Sequence, residues 1–156
     1  MKVNTGDINV NKTIYVGEIL ISYPILVKVF GEPKNVREKT SCIWDIEFDD
    51  GTVASIYDWK PSKDATPETT TLWNIGGFNR KAKELVINEI NKSVEIKFYH
   101  SMGFVGSSYS MKIDDKRYSF GFVNEDEAKK LAIKKLKNLE IEYDESDIDF
   151  KWDGRL

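Results

Sequence analysis

A chain of 156 residues, 40% hydrophobic and 31% charged, has the size and composition of one soluble globular domain or two small lobes. A net charge of −3 and a pI of about 5.3 argue against direct binding of a nucleic-acid backbone, which calls for a basic excess. No run reaches the roughly 18 apolar residues of a membrane span. The opening MKVNTGDINVNK lacks the layout of a signal peptide, and the lone cysteine, Cys42, excludes an intrachain disulfide or a multi-cysteine metal site. The expectation is a cytoplasmic protein.

Residues 12–20 are a candidate short strand. Ser22 can cap a helix with Pro24 in its first turn. Tyr23, Leu26, Val27 and Phe30 then share one face at helical spacing, and Gly31 and Pro33 end the element. Cys42, Trp44, Ile46 and Phe48 alternate with Ile43, Asp45 and Glu47, which predicts a strand with one face buried. Cys42 is expected inside, as a small apolar group. Asp50-Gly51 supplies a hairpin turn. The return strand 52–60 is apolar on both sides and is expected to be central in its sheet. Residues 61–70 read as a loop, Thr71–Ile75 as a strand broken by Gly76-Gly77. Asn79 can cap a helix whose inner face is Ala82, Leu85, Val86, Glu89 and Ile90.

A second lobe is expected from residue 92. Ser93–His100 reads as a strand, MGFVGSS as a loop, and 108–113 with 116–122 as a hairpin around Asp114-Asp115. Asn124 and Glu127 form the pattern of a capping box. The helix that follows buries Ala128, Leu131, Ala132, Leu136 and Leu139, with lysines opposite. Ile148–Trp152 is a candidate edge strand. The fold class is therefore α+β: antiparallel sheet with helices packed on it, in a β-α-β-β-β-α lobe (1–91) and a β-β-β-α-(β) lobe (92–156).

The blocks FGEP (Phe30–Pro33), WDIEFDDGTVASIYDWK (Trp44–Lys60) and WNIGG (Trp73–Gly77) occur in an order that resembles a pattern in small phage-encoded proteins of uncharacterised function. The resemblance covers about residues 20–90. A weaker likeness to a glycine-turn motif of other small phage proteins lies in FYHSMGFVGSSY (Phe98–Tyr109). The resemblance implies a phage or prophage origin and an accessory gene product, and it carries no established activity. A composition rich in Lys, Asn and Ile suits an AT-rich genome.

No catalytic constellation emerges. His100 has no second His or Cys to share a metal, and its neighbour Ser101 points to the opposite strand face. Asp45 and Asp58 could face each other across the hairpin, although solvated strand faces routinely carry such residues. Gly76-Gly77, between a strand and a helix start, could meet an anion with Arg80 or Lys81. Gly103, Gly106, Ser107 and Ser108 offer a similar loop; a plain tight turn explains either one. Trp44 alternates with core residues, whereas Trp59, beside Lys60, and Trp73, before the glycines, are the candidates to stack a base, with core packing as the favoured alternative. The acids between 140 and 149 could mimic a nucleic acid or simply line a solvated turn, and they do not match a calcium loop.

The expectation is a non-enzymatic phage accessory protein, most plausibly directed against host defence, with no cofactor or metal. One mode sequesters a nucleotide second messenger at Trp59, Lys60, Trp73, Gly76, Gly77, Arg80, Gly103, Gly106, Ser107 and Arg117. The other grips a host defence protein through a sheet edge or aromatic patch; homo-oligomers suit either. A nucleic-acid mimic and a nucleotide-processing enzyme are the alternatives.

Overall fold

The computed structural model describes residues 1–35, 40–59, 64–114 and 116–153. The fold is α+β, and the chain divides into two compact units, Met1–Ser93 and Val94–Leu156. Among the described residues no helix is long and apolar enough to cross a membrane.

The first unit holds β1 (Lys2–Val3), β2 (Ile14–Leu20), α1 (Tyr23–Phe30), β3 (Lys34–Asn35), β4 (Cys42–Glu47), β5 (Val53–Tyr57), β6 (Leu72–Gly77) and α2 (Lys81–Ser93). The sheet is antiparallel with order β1-β4-β5-β6-β2, and β3 joins β4 beside β1. β5 is central, as its two apolar sides require. The two-residue strands β1 and β3 were not legible beforehand: pairs this short carry no periodicity.

Alternation places Cys42, Trp44, Ile46, Ala54, Ile56, Trp73 and Ile75 in the core, where all are buried. Trp44 and Trp73 pack edge to face at 5.4 Å, with Tyr23 of α1 against both. Each indole N–H finds a backbone acceptor: Trp44 donates to the Gly31 carbonyl (2.8 Å) and Trp73 to the Ile21 carbonyl (3.0 Å). A fully buried side chain of this size contributes on the order of 1.5–3 kcal/mol. Gly31 ends α1 at φ 78° with its N–H on the Val27 carbonyl. Ser22 takes the N-cap position without a side-chain bond.

The two acids of the β4–β5 hairpin differ from the expected residues of a solvated strand face. Asp45 and Asp58 are buried and do not face each other. Asp45 accepts from the Ser55 hydroxyl (2.9 Å) and pairs with Lys34 (3.2 Å). Asp58 accepts the backbone N–H groups of Ser41 and Cys42 and the Ser41 hydroxyl. Both carboxylates tie strands and loop ends together, because buried charge is tolerated only when its acceptor sites are filled. Burial pushes the Cys42 thiol up to about 12.

The second unit holds β7 (Ile96–Gly103), β8 (Gly106–Ile113), β9 (Lys116–Phe122), α3 (Glu125–Asn138) and β10 (Lys151–Trp152), in sheet order β10-β7-β8-β9. β10 is the edge strand and pairs parallel to β7. Asn124 caps α3 by accepting the Glu127 N–H at 2.9 Å. Phe98, Met111, Ile113, Ala128, Ala132 and Leu136 form the core, closed by Ile141, Ile148 and Phe150. The acidic segment is thus anchored by apolar residues, while Glu142, Asp144, Glu145, Asp147 and Asp149 remain exposed. The expected MGFVGSS loop is corrected: β7 and β8 continue to Gly103 and Gly106, which pair directly, leaving Phe104-Val105 as a two-residue turn. Asp115 of the second expected turn lies outside the described residues.

Candidate binding surface

Within the first unit, the residues proposed for a nucleotide site do not share one surface. Trp73 is fully buried beneath α1 and offers no face to a base. Gly76 and Gly77 are inside β6 rather than in a loop. The missing side chain of Gly77 serves packing, since a Cβ there would sit 2.4 Å from that of Ala82, whereas one on Gly76 would meet the Tyr57 ring at an ordinary 3.6 Å. Arg80 is exposed at the start of α2. The nearby depression of about 220 Å³ is lined by Asp50–Val53, Phe78 and Asn79. Asp50 is held at about 2 by its bond to Lys81, so an ionised carboxylate stands where a phosphate would have to approach.

Trp59 is half exposed and packs against Tyr57 at 6.2 Å; Lys60 lies outside the described residues. Extending the register from Tyr57↔Asn74 sets Trp59 opposite Leu72, and Leu72 pairs with Leu20. These three form an exposed apolar row on the sheet face away from the helices. Arg117 belongs to the other unit, where it is ion-paired with Asp153 (2.7 Å) and lies over the Tyr99 ring at 4.9 Å. His100 sits between Tyr109 and Trp152. Among the described residues no group of three His, Cys, Asp or Glu side chains could hold a metal.

Gly103, Gly106 and Ser107 do share one place, the end of the β7–β8 hairpin. The feature they frame is apolar. Phe104 is fully exposed, Val105 is 82% exposed, and Met102 and Phe122 flank them at 58% and 61%. Neither Phe104 nor Val105 has positive φ, and Gly106 at φ 135° absorbs the mismatch between an ordinary turn and the twisted strands. Phe122 is opposite Ser108, whose hydroxyl bonds that of Ser101 at 2.8 Å. Phe98–Met111 and Tyr118–Asn124 contain no Asp, Glu, Lys or Arg, in a chain that is 31% charged. The hairpin end is therefore a convex apolar tip on an uncharged stem of Ser, Tyr and Gly, a composition that gives adaptable hydrogen bonds and rigid contact area at protein-binding surfaces.

The sequence held this signal in two forms that periodicity does not weigh. Apolar residues fill a turn where polar ones are usual, and charge is absent from Phe98 to Met111. No protein-family model, curated protein or solved structure matches this chain.

Proposed function

We propose that this chain is a non-enzymatic phage accessory protein, directed against host defence, that acts by seating the Phe104-Val105 tip in an apolar pocket of a host protein. The observation that carries the reading is the tip itself. Contiguous exposed apolar groups of this kind are a standing cost in water and mark interaction sites. Two exposed aromatic side chains, Phe104 and Phe122, offer on the order of 100–200 Å² each, the scale of an interface anchor. The lack of charge disfavours an electrostatically steered partner such as nucleic acid. It equally disfavours an interfacial membrane anchor, which combines apolar groups with Lys and Arg. The order of motifs from Phe30 to Gly77 supports the phage origin. A lone histidine among aromatic rings supports binding over catalysis. Burial of Trp73 favours a protein partner over a nucleotide.

The test compares wild type with Phe104→Ser as immobilised bait in extract of a host that carries its defence systems. One host protein held in defined stoichiometry, and bound roughly tenfold or more weaker by Phe104→Ser, is the expected result. Thermal stabilisation by cyclic nucleotides or ADP-ribose derivatives, or binding to lipid vesicles, would replace this reading. A host partner held equally by both proteins would remove the tip from it.

A further inference from the structure

The two edges of the first sheet are built differently. One is closed by β1 and β3, two residues each, with Lys2 paired to Asp7 and Glu47 and Lys34 paired to Asp45. Short strands and lysines are the usual means of preventing edge-to-edge pairing. The other edge is β2, seven residues long, with Glu18 its single charge. Among the described residues the strand order ends at β2.

The Ile21 N–H bonds the Thr71 carbonyl at 2.8 Å. In an antiparallel ladder this sets Ile19 facing β6 and turns the N–H and C=O groups of Glu18 and Leu20 outward. The irregularity in β2 lies between Tyr15 and Gly17, so pairing from Gly17 to Leu20 is regular. Apolar groups flank the edge: Ile14, Tyr15 and Leu20 are exposed by 62%, 57% and 43%. Leu20 also continues the exposed row through Leu72 to Trp59.

We infer that β2 is a homodimerisation edge, pairing antiparallel with β2 of a second copy across a two-fold axis. A second copy is the occupant this geometry fits. Antiparallel pairing of a strand with itself is self-complementary, so the same groups serve both sides. The backbones of Glu18 and Leu20 exchange hydrogen bonds with their counterparts. Ile14, Tyr15 and Leu20, each leaving on the order of 100 Å² open, add to the edge toward the roughly 800 Å² per partner of a stable interface. The blunt lysine-bearing edge on the far side stops growth at two copies. The convex tip of the second unit is not the dimer contact, because it needs a concave receptor.

Sedimentation of the full chain over roughly two decades of concentration tests this. The expected result is a mass that doubles as concentration rises. Glu18→Pro removes an outward N–H and leaves the β6 ladder intact; with Glu18 of one copy opposite Leu20 of the other, Leu20→Glu sets two carboxylates against each other without touching the backbone. Each weakens dimerisation at least tenfold at an unchanged monomer unfolding midpoint, whereas Phe104→Ser leaves the dimer intact. If Glu18→Pro disturbs the fold, Leu20→Glu alone decides. A monomer at every concentration, or a dimer that Leu20→Glu leaves unaltered, overturns the inference.

Discussion

Gly77 shows how a single missing side chain fixes the distance between a helix and its sheet. The gap above it is already filled by the Ala82 methyl, and the Val53 carbonyl lies 3.3 Å from where a Cβ would stand. Neither neighbour is the free end of a flexible chain. Gly77→Ala must push α2 away from β6, and overpacking of this kind costs about 1–3 kcal/mol. The expected outcome is a stability lowered by that amount, read as a lower urea midpoint at an unchanged slope. A midpoint equal to wild type would mean that α2 moves freely over β6. Trp44 and Trp73 belong to the same logic. Their ring faces are spent on each other and on Tyr23, so the two aromatic blocks of the sequence build its core.

At the scale of elements, the β4–β5 hairpin is tied to the start of α2. Asp50 accepts the Thr52 N–H at 2.9 Å and pairs with Lys81 at 2.6 Å. These bonds lower its carboxyl from 3.8 to about 2. The unfolded chain therefore takes up this proton first, so protonation favours unfolding. The contribution is complete above about 3.8 and is lost as pH falls through about 2. Asp50→Asn should flatten the pH dependence of stability across that window and leave a small loss at neutral pH. An acid limb identical to wild type, measured by denaturant titration at several pH values, would show that the tether does not form. The longer elements were legible in the sequence because each has a period: α1 and α2 repeat on one helical face, and β4 alternates. What could not be read was where strands stop. Gly103 and Gly106 look like loop residues, yet they pair within the hairpin, since glycine in a strand has no signature of its own. Trp73 looks like a pocket candidate because it precedes two glycines, and its burial follows from the packing of α1 on β6. Asp45 and Asp58 look solvated by residue type, and only tertiary partners explain their burial.

For the whole molecule, the distribution of charge separates two ways of binding. Glu142, Asp144, Glu145, Asp147 and Asp149 face solvent, while the tip and its stem are neutral. A contact made through the tip should keep its affinity as salt is raised from low to about 0.5 M, because apolar burial is not screened. A contact made through the acidic segment should lose affinity steeply over the same range. Measuring the host-partner affinity at several salt concentrations distinguishes them, and a steep loss would transfer the function from the tip to the acids.

The tryptophan pair of the first unit has an optical consequence. Three of the four tryptophans, Trp44, Trp59 and Trp73, belong to Met1–Ser93, and Trp44 and Trp73 are held 5.4 Å apart at 75° in an asymmetric apolar setting. That arrangement gives the first unit its own near-ultraviolet dichroism and a blue-shifted emission. Val94–Leu156 has Trp152 alone, half exposed at its edge strand. The blue side of the indole emission and the dichroism of the coupled pair therefore follow the core of the first unit, while the half-exposed Trp59 and Trp152 emit to the red of it.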